Sequence, residues 1–393
     1  MKAGNCRVCR SVSSVGQLFS LGPQPYANKY PYKEEVASEQ LHRLDVQRCE
    51  ICETLMIADV VDRGVMFEDY YYLSSVNEGL VNHFSELADL LKNKNFVVDI
   101  GSNDGILLKE LRDREIKFLG VDPSRNVAEI ANKKGLETLV GFFNTEMVQR
   151  VKEIGSPDCL IASSVFTHVA DPIQFLTDCS DLLDVDGHLI IEVEDLSAIV
   201  SDLKFERFYF DRPHYYSAVG LSLLGQKVGF NVDKVESVET HGGSLRIWFR
   251  KYSTADRQDS ARGQLGSVSR ESVLDGFRAW VSEGERLVAE LSKMRDLGKT
   301  VVGYGAPARL ATICNFFKID ESLVRLVVDD SWLKQGRLSP GTHIPIKKLD
   351  EVDMQAVDCV IIFAYEYTKQ IKLKVGNEFM KSDYRTAIPY RSI

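Results

Sequence analysis

A ten-residue segment, Phe-Val-Val-Asp-Ile-Gly-Ser-Asn-Asp-Gly at residues 96–105, constrains the fold more than any other part of the sequence. Its first three residues are apolar and predict a buried strand that ends at Asp99. The chain then turns through Gly101 and Gly105 into an amphipathic segment at residues 106–111, which predicts a helix. A strand, a glycine-containing turn and a helix place backbone N–H groups and a helix N-terminus around a ligand. The segment therefore predicts a Rossmann-type nucleoside site.

The next predicted strand, residues 117–123, supports this interpretation because it ends at Asp122, where an acid can accept hydrogen bonds from a ribose diol. The full G-x-G-x-x-G spacing is absent, and Asp99 and Asp104 suit a ligand with an amino group better than a phosphate. The segment resembles motif I of class I S-adenosylmethionine (SAM) methyltransferases; a plain glycine turn and a NAD site are the alternatives. The candidate cofactor residues are Asp99, Gly101, Asn103, Asp104, Gly105, Asp122, Pro123 and Ser164.

The composition is that of an ordinary soluble protein with room for two or three domains. The 393 residues carry a net charge of −9, which argues against a general nucleic-acid-binding surface. No apolar run reaches the length of a membrane span, and the first residues lack the apolar core of a signal peptide. We therefore expect a cytoplasmic protein with reduced thiols and without nucleic-acid or membrane partners.

Two Cys-x-x-Cys pairs, Cys6/Cys9 and Cys49/Cys52, predict a zinc site. Each pair can place two thiolates on one tight turn, and two such turns complete a tetrahedral shell. Such a closed shell is structural, because it has no open position for water. A redox-active pair is the alternative, but two matched pairs this close in sequence favour zinc. The other four cysteines lie singly in apolar segments and are interpreted as core residues: Cys159, Cys179, Cys314 and Cys359.

Three further segments in the first half carry candidate site residues. Residues 67–75 contain three tyrosines beside two serines, either as an aromatic hinge between domains or as a wall facing a substrate. The predicted strand at residues 159–162 is followed by Ser164 and His168, at the edge where open α/β sheets bind ligands. Residues 205–217 are dense in aromatic and ionisable side chains, and form either a structural loop or part of the site.

The last third of the chain predicts a second α/β unit. A polar stretch at residues 252–270 and a long amphipathic helix at about residues 272–297 precede it. It opens at residues 300–306 with another strand-to-glycine turn, although a lone G-x-G is weak evidence for a cofactor. Its basic loop at residues 334–346 suits a phosphate or diphosphate. The candidate substrate residues here and in the preceding His-Gly-Gly-Ser-Leu-Arg segment are His241, Gly242, Gly243, Arg246, Tyr304, Lys334, Arg337 and His343.

Taken in order, these pieces resemble the zinc-containing, SAM-dependent C-methyltransferases of nucleotide-linked (dTDP-type) keto-deoxysugars, over nearly the whole chain. The resemblance rests on the paired cysteines, Tyr-x-Tyr-x-Ser-Ser, motif I, His-Gly-Gly-Ser-Leu-Arg, Gly-Tyr-Gly-Ala and Lys-Gln-Gly…Pro-Gly-Thr-His-Ile-Pro-Ile. It implies an α/β protein with a zinc-binding domain at residues 1–75, a Rossmann-like class I SAM methyltransferase domain at 76–255 and a Rossmann-like α/β domain at 256–393. In that family zinc is structural, SAM binds the central domain, and the nucleotide-sugar lies between the central and C-terminal domains.

One segment departs from the family pattern. Where the family has Tyr-His-Glu-His followed by Ser-Tyr-Phe-Ser, this chain has Tyr-Phe-Asp-Arg-Pro-His-Tyr-Tyr-Ser at residues 209–217. The glutamate becomes Asp211, and the histidine assigned as general base becomes Arg212, which cannot accept a proton near neutral pH. An asparagine expected before the His-Val pair is replaced by Ser164. The departure concerns the mechanism and the substrate, whereas the fold assignment rests on the other motifs.

C-methylation beside a keto group needs a base at the C–H bond, a donor or cation at the enolate oxygen, and the methyl group in line. The rival functions are O-methylation of a nucleotide-sugar, SAM or sugar binding without catalysis, and nicotinamide-dependent oxidation and reduction. The candidate catalytic residues are His214 and Asp211 as bases, Tyr72, Tyr209 and Arg212 as enolate stabilisers, and, by the resemblance, His168 and either Tyr72 or Tyr70.

Overall fold

The computed structural model describes residues 3–59, 74–76, 78–252, 266–375, 383–389 and 391–392. These residues form three β-sheets, and two of the sheets are predominantly parallel and flanked by helices. The α/β class and the order of the three units that the sequence predicted are therefore confirmed.

The first sheet is antiparallel and is completed by a strand from a distant part of the chain. Its strands are β1 (Ala3–Asn5), β2 (Val12–Gln24), β3 (His42–Cys49), β4 (Leu55–Ile57) and β10 (His214–Tyr215), in the spatial order β1-β2-β3-β4-β10. In the last pair, His214 lies opposite Met56 and Tyr215 opposite Leu55. The segment at residues 209–217 is therefore anchored to the N-terminal sheet.

The central sheet has seven strands in the order β11-β12-β9-β8-β5-β6-β7. The strands are β5 (Phe96–Ile100), β6 (Lys117–Asp122), β7 (Thr138–Val140), β8 (Cys159–Ser163), β9 (His188–Glu194), β11 (Phe230–Val238) and β12 (Ser244–Lys251). All five residues of β5 are buried, as expected for a central parallel strand. After β7 the chain returns to the other side of β5, so the strand order reverses between β5 and β8, where such sheets bind ligands.

Within the described residues, seven α-helices accompany the central sheet, and the glycine turn leads into the second of them, as predicted. They are α1 (Glu78–Leu90), α2 (Ile106–Arg112), α3 (Arg125–Lys133), α4 (Thr145–Ile154), α5 (Pro172–Leu182), α6 (Leu196–Ser201) and α7 (Ala218–Lys227). Asp171 and Ser217 cap α5 and α7, because their side chains accept hydrogen bonds from backbone N–H groups of the first turn.

A long helix, α8 (Arg270–Asp296), leads into the third sheet, close to the predicted bounds. Its buried face includes Val273, Trp280 and Leu287, spaced by two helical turns. The third sheet has the order β15-β14-β13-β16-β17-β18. Its elements are β13 (Val301–Tyr304), α9 (Ala308–Phe317), β14 (Val327–Val328), β15 (Ile346–Lys347), β16 (Cys359–Ile362), α10 (Thr368–Val375), β17 (Asp383–Thr386) and β18 (Arg391–Ser392).

Described residues of the three units share hydrophobic cores. One core joins Phe19 of the first sheet to Phe208 of the central region and to Trp280 and Phe317 of the C-terminal part. Rings of Phe19 and Phe208 meet edge to face with centroids 5.2 Å apart. Among the helices in the described part of the chain, none is long and apolar enough to cross a membrane.

Candidate active site

Four cysteine sulfurs converge on the first sheet. Cys6 and Cys9 lie between β1 and β2, while Cys49 ends β3 and Cys52 precedes β4. The sulfurs of Cys6 and Cys52 are 4.0 Å apart, those of Cys9 and Cys49 are 3.9 Å apart, and all four lie within 4.8 Å of one another. Four thiolates bound to one zinc ion would be about 3.8 Å apart, so the cluster fits zinc. The predicted four-cysteine site is confirmed.

The two turns that hold these cysteines have the same backbone geometry. The N–H of Arg10 donates to the carbonyl of Cys6 at 2.8 Å, and the N–H of Glu53 donates to that of Cys49 at 2.9 Å. Arg10 and Glu53 both have a φ of +57°. All four cysteines are buried, which matches a closed structural shell rather than a site open to substrate.

A first cavity of about 410 Å³ lies at the carboxyl ends of β5, β6 and β8, where the strand order reverses. Most of the sequence-predicted cofactor residues meet there. Pro123 follows the acid that ends β6, and Ser164 follows β8 with a φ of +58°. The predicted residues that line this cavity are Asp99, Gly101, Asn103, Asp122, Pro123 and Ser164.

Gly101 shapes the floor of the first cavity because no side chain fits there. Its φ is +76°, and an added Cβ would lie 2.2 Å from Cγ2 of Val165, which lines the cavity beyond β8. The next turn passes through Asn103, whose φ is +50°. The glycine therefore allows both the turn and the close approach of the backbone to a ligand.

Two buried carboxyl groups give the first cavity its electrostatic character. The carboxylate of Asp122 accepts hydrogen bonds from the N–H groups of Asn103 at 2.9 Å and Ser124 at 2.8 Å. Burial raises the pKa of Asp122 despite these bonds. Burial, together with the charges of Asp122 and Glu192, raises the pKa of Asp99 to about 8. Such a site favours a cationic ligand over an anion.

Asp104 and Gly105 lie behind the wall of the first cavity, so the prediction that they contact a cofactor is corrected. Asp104 accepts hydrogen bonds from the N–H and the hydroxyl of Ser75 and pairs with Lys134 at 3.1 Å. Gly105 precedes α2 with a φ of +84°, and an added Cβ would lie 2.6 Å from Cδ1 of Leu136. Both residues hold the turn in place instead of facing the ligand space.

The segment after β7 also lines the first cavity and was missed by the sequence reasoning. Its aromatic residue Phe142 is 53% exposed at the cavity rim, next to Phe143. The three residues of β7 were too few to give a strand signal. The remaining signal would have been the short run Gly-Phe-Phe-Asn at residues 141–144, at the carboxyl edge of the sheet.

A second cavity of about 440 Å³ lies between the central and C-terminal domains. From the C-terminal domain, Tyr304 and Lys334 line it as predicted for substrate residues, and Tyr209 lines it from the central region. The hydroxyl of Tyr304 donates to Asp330 at 3.2 Å, and Nζ of Lys334 donates to the carbonyl of Ala306 at 2.9 Å. A residue predicted as catalytic in the central domain and two predicted as substrate-binding in the C-terminal domain therefore face a common space.

Arg212 lines both cavities and is held by a buried network of charges. Glu194, the last residue of β9, lies 2.5 Å from Nη1 of Arg212 and 2.5 Å from Nη1 of Arg207. Arg207 also pairs with Glu366, which pairs with Arg309. Burial alone would lower the pKa of Arg212, but the charge of Glu194 raises it overall, so Arg212 stays cationic. Sequence reasoning missed the acids of this network because they come from separate segments.

Tyr209 and His168 flank Arg212. Burial raises the pKa of Tyr209 to about 12, although the charge of Arg212 opposes it, so its phenol is a donor at neutral pH. His168 lines the first cavity, and its Nδ1 lies 2.5 Å from the backbone carbonyl of Asp211. The Asp211 carboxylate accepts a hydrogen bond from Asn28 at 2.5 Å, and burial raises its pKa.

His214 lies outside both cavities, which contradicts the prediction that it is the base. The residue is fully buried in β10 against β4, and its Nε2 accepts a hydrogen bond from Nε of Arg7 at 3.2 Å. Strand pairing with the N-terminal sheet turns residue 214 away from the cavities, whereas residue 212 faces them. Residue 212, rather than residue 214, therefore lies at the junction of the two cavities.

Arg246 is paired inside the central domain instead of facing a ligand. Its Nε lies 2.5 Å from Glu192, which also meets Nε2 of His83 at 2.9 Å. Burial alone would raise the pKa of Glu192, but the hydrogen bond and charge of His83 lower it to about 2. Because Glu192 already neutralises Arg246, the predicted anion site at this arginine is corrected.

Gly242 and Gly243 approach protein rather than a ligand. An added Cβ on Gly242 would lie 2.6 Å from the carboxylate of Glu366, and one on Gly243 would lie 3.3 Å from Ala198. The backbone of His241 lies in the same short 3-10 helix, Thr240–Gly242. The close backbone approach that the paired glycines predicted is therefore an internal contact, with the C-terminal domain at Gly242 and with α6 of the central domain at Gly243.

Arg337 and His343 bind the N-terminal domain instead of lining the second cavity. Nη1 of Arg337 donates to the carbonyl of Tyr30 at 3.0 Å, and its guanidinium stacks over the ring of Tyr32. Nε2 of His343 lies 2.6 Å from the carboxylate of Glu39. The prediction that both residues bind substrate is corrected, because partners from the first domain occupy them.

Tyr70 and Tyr72 lie outside the residues that the structure describes. The adjoining Ser74 lines the first cavity, and its N–H donates to Oδ1 of Asn103 at 3.0 Å. The end of the tyrosine segment therefore lies beside the first cavity.

Three family models match consecutive parts of the chain. They describe a putative zinc binding domain at residues 6–67, a methyltransferase domain at residues 68–235, and a C-methyltransferase C-terminal domain at residues 239–389. The last two match the parts of the chain that contribute most of the walls of the two cavities, and Asn28 adds to the second cavity from the first part.

Among characterised relatives, the C-methyltransferase NovU of Streptomyces niveus is 28% identical over 402 residues, covering 98% of this chain and 94% of that protein. A ubiquinone biosynthesis O-methyltransferase of Vibrio parahaemolyticus is 28% identical over 120 residues, 30% of this chain and 51% of that protein. Among solved structures, the PH0226 protein of Pyrococcus horikoshii OT3 has a TM-score of 0.37 and 18% identity over 46% of this chain and 94% of its own.

Proposed function

Because three consecutive family models match this chain and a C-methyltransferase is 28% identical over nearly all of it, we propose that the protein methylates a carbon of a nucleotide-linked 4-keto-deoxysugar through an enolate. One observation carries the proposal: the guanidinium of Arg212 lines both cavities. A methyl donor in the first cavity and a sugar in the second would meet at this residue.

The charges of the second cavity support a nucleotide-linked substrate. Arg207, Arg309 and Lys334 line one continuous space with Tyr304 and Tyr209. Arginine and lysine side chains suit the oxygens of a diphosphate, and tyrosines suit the flat and polar faces of a base or sugar. Arg207 and Arg309 are already paired with Glu194 and Glu366, so we assign the diphosphate to Lys334, which lies 3.8 Å from Asp329. We assign the keto-sugar to the end near Arg212.

We assign the general base to His168. A backbone carbonyl only accepts hydrogen bonds, so the 2.5 Å contact with Asp211 requires a proton on Nδ1 of His168. In the neutral ring the lone pair is then on Nε2, which is the nitrogen that can remove a proton. Asp211 becomes a positioning residue that orients the ring through its carbonyl.

We assign the enolate oxygen to Arg212, with the Tyr209 hydroxyl as a second donor. The guanidinium is held by Glu194 and needs little rearrangement when negative charge develops next to it. SAM supplies an electrophilic methyl group when it is bound beside Asp99, Gly101 and Asp122. The roles of the residues in this chain are to remove the proton, to hold the oxyanion and to align the carbon.

Deuterium exchange tests the proposal. We would incubate the protein with a nucleotide-linked 4-keto-deoxysugar in D₂O without SAM, and follow loss of the α-proton by NMR. Wild-type protein should catalyse exchange, His168→Gln should slow it about 10²–10⁴-fold, and Arg212→Met should slow it about 10²–10³-fold. His188→Gln serves as the matched control, because His188 begins β9 at the opposite end of the sheet.

Each outcome separates one reading from another. Methyl transfer without proton exchange would indicate O-methylation. SAM binding with neither exchange nor methyl transfer would indicate a binding protein. If His168→Gln exchanges like the wild type while Asp211→Asn does not, the base is Asp211.

A further inference from the structure

The C-terminal domain repeats the turn geometry that forms the floor of the first cavity. In the central domain, the N–H of Gly101 donates to the carbonyl of Val121 at 2.7 Å; in the C-terminal domain, the N–H of Gly305 donates to that of Val328 at 2.7 Å. Gly101 and Gly305 follow corresponding parallel strands, β5 and β13, with φ values of +76° and +81°. Each accepting carbonyl directly precedes an acid, Asp122 or Asp329.

The two acids hold the same pair of backbone hydrogen bonds. In each domain, one carboxylate oxygen accepts from the glycine turn and the other accepts from the residue two positions after the acid. The donors are Asn103 (2.9 Å) and Ser124 (2.8 Å) for Asp122, and Ala306 (2.6 Å) and Ser331 (2.8 Å) for Asp329.

In both domains, a residue that follows the neighbouring parallel strand packs closely against the glycine. An added Cβ on Gly101 would lie 2.2 Å from Val165, which follows β8, and one on Gly305 would lie 2.5 Å from Ala364, which follows β16. Gly305, Asp329 and Ala364 all line the second cavity. The second cavity therefore has a nucleoside-type floor of its own, in a domain whose lone G-x-G was weak evidence in the sequence.

We infer that Asp329 binds the pentose of the substrate's nucleoside by accepting a hydrogen bond from its 3′-hydroxyl. The inference rests on the proposed function, and it assigns the nucleoside end of the substrate to the C-terminal half of the second cavity. A carboxylate offers about four acceptor positions, and backbone N–H groups use two at Asp329. Nζ of Lys334 lies 3.8 Å from the Asp329 carboxylate, within reach of a phosphate on the same nucleoside.

The neighbouring acid is a poorer candidate for this role. Asp330 accepts from the hydroxyl of Tyr304 and pairs with Lys374 at 2.6 Å, and its side chain is 52% exposed. Its position matches Pro123 of the first cavity, one residue after the strand-terminal acid. The repeat therefore selects Asp329 over Asp330.

Titration with nucleotides that differ by one hydroxyl tests the inference on unaltered protein. The probes are thymidine 5′-monophosphate, uridine 5′-monophosphate and their 3′-deoxy forms, added to the full-length, zinc-loaded chain in a calorimeter. Loss of the 3′-hydroxyl should weaken binding about 10- to 100-fold, the range for a hydrogen bond to a charged group. A comparison of uridine 5′-monophosphate with 2′-deoxyuridine 5′-monophosphate then shows whether the substrate carries a ribonucleotide or a deoxyribonucleotide. Either result is compatible with a hydrogen bond between Asp329 and the 3′-hydroxyl.

Protein variants complete a double-mutant cycle between the Asp329 side chain and the 3′-hydroxyl of the nucleotide. In Asp329→Ala, whose SAM affinity and zinc content should match the wild type, removing the 3′-hydroxyl should change binding by less than about twofold, because the partner is absent. Glu351→Gln is the control, since this exposed acid of the same domain lies away from the cavity. If wild-type protein binds the 3′-deoxy nucleotides as tightly as the normal ones, Asp329 only supports its loop and the inference fails while the proposed function stands. If SAM binds but no nucleotide does, the nucleotide-linked substrate fails as well.

Discussion

Replacing Asp99 with asparagine tests how the first cavity recognises its cofactor. The carboxyl group is buried in the cavity wall, where burial and the charges of Asp122 and Glu192 raise its pKa to about 8. SAM carries positive charge, so it should bind the ionised carboxylate in preference to the neutral acid. SAM affinity should therefore increase with pH up to about 8.

The magnitude follows from the fraction of protein in the binding-competent form. When a ligand binds only the ionised group, the apparent Kd increases by the factor 1 + 10^(pKa − pH). With a pKa of about 8, this factor is about 2 at pH 8 and about 100 at pH 6. The Kd for SAM should therefore rise about 50-fold between pH 8 and pH 6.

Calorimetric titration with SAM at pH 6, 7 and 8 measures this dependence. Asp99→Asn should bind SAM more weakly at pH 8 and should lose most of the variation with pH. Any titration of SAM itself affects both proteins equally, so the difference between the two pH profiles belongs to Asp99. Equal profiles for the wild type and Asp99→Asn would refute the reasoning.

The raised pKa of Asp99 predicts that the stability of the ligand-free protein decreases as the pH rises, whereas SAM affinity increases. The folded-state pKa lies above the unfolded-state value of about 3.9, so the stabilisation is complete below about pH 4 and is lost as the pH rises through 8. Asp99→Asn should therefore raise the melting temperature relative to wild type more at pH 8 than at pH 5. Differential scanning calorimetry at the two pH values measures this difference.

Three other perturbations test the remaining assignments. Cys49→Ala should lose zinc by elemental analysis and lower the melting temperature of the protein, while SAM affinity at the first cavity changes by less than about threefold; unchanged zinc content would refute the four-cysteine site. His214→Gln should lower the free energy of unfolding in urea by about 1–3 kcal/mol, because it leaves Arg7 with a changed buried partner. Turnover should stay within about threefold of the wild type at saturating substrate. A 10²-fold loss of turnover in folded protein would indicate that His214 is the base. Gly101→Ala should weaken SAM binding at least 100-fold, and adding Val165→Ala should recover part of the loss by removing the 2.2 Å contact; equal affinities for the single and double variants would mean that the clash is not the cause.

The sequence predicted those parts of the site whose geometry is set within one short segment. The turn through Gly101 and the acid at Asp122 follow from a strand, a glycine and a helix in succession, and parallel neighbours bring the two strand ends together. The four cysteines were predictable for the same reason, since each pair sits on one tight turn. In these cases local spacing fixes the three-dimensional arrangement.

The incorrect predictions have a common physical cause, which is the unknown partner. Arg246, Arg337 and His343 were interpreted as anion-binding because a sequence does not show which groups of the folded protein will contact them, whether acids or, for Arg337, a backbone carbonyl and a tyrosine ring. Glu192 lies 54 residues from Arg246, and Glu39 lies 304 residues from His343. Contacts between residues that are this far apart in the sequence determine whether a cationic side chain can bind a ligand or is paired within the protein.

The directions of the His214 and Arg212 side chains likewise depend on a partner that the local sequence does not show. His214 was a candidate base because the reference pKa of histidine lies near working pH, although it is displaced by two residues from the position of the family's histidine. The structure places a turn at residues 210–211 before Arg212 and Pro213 after it, and only residue 214 enters the strand that pairs with β4. The pairing partner lies in the N-terminal domain, so the change of direction is not encoded in the segment itself.

This arrangement gives the zinc domain a role in positioning the junction between the two cavities. The segment from Tyr209 to Tyr215 is fixed at one end by the hydroxyl of Tyr215, which donates to the carbonyl of Arg207 at 2.9 Å. At the other end it is fixed by β4, which begins three residues after Cys52. Arg212 lies between these anchors, so loss of zinc should disturb the guanidinium at the junction more than the floor of the first cavity at Gly101. A structural metal site that never contacts substrate can thus control turnover through the loop that it holds, and the loss of activity in Cys49→Ala should accordingly exceed its loss of SAM affinity.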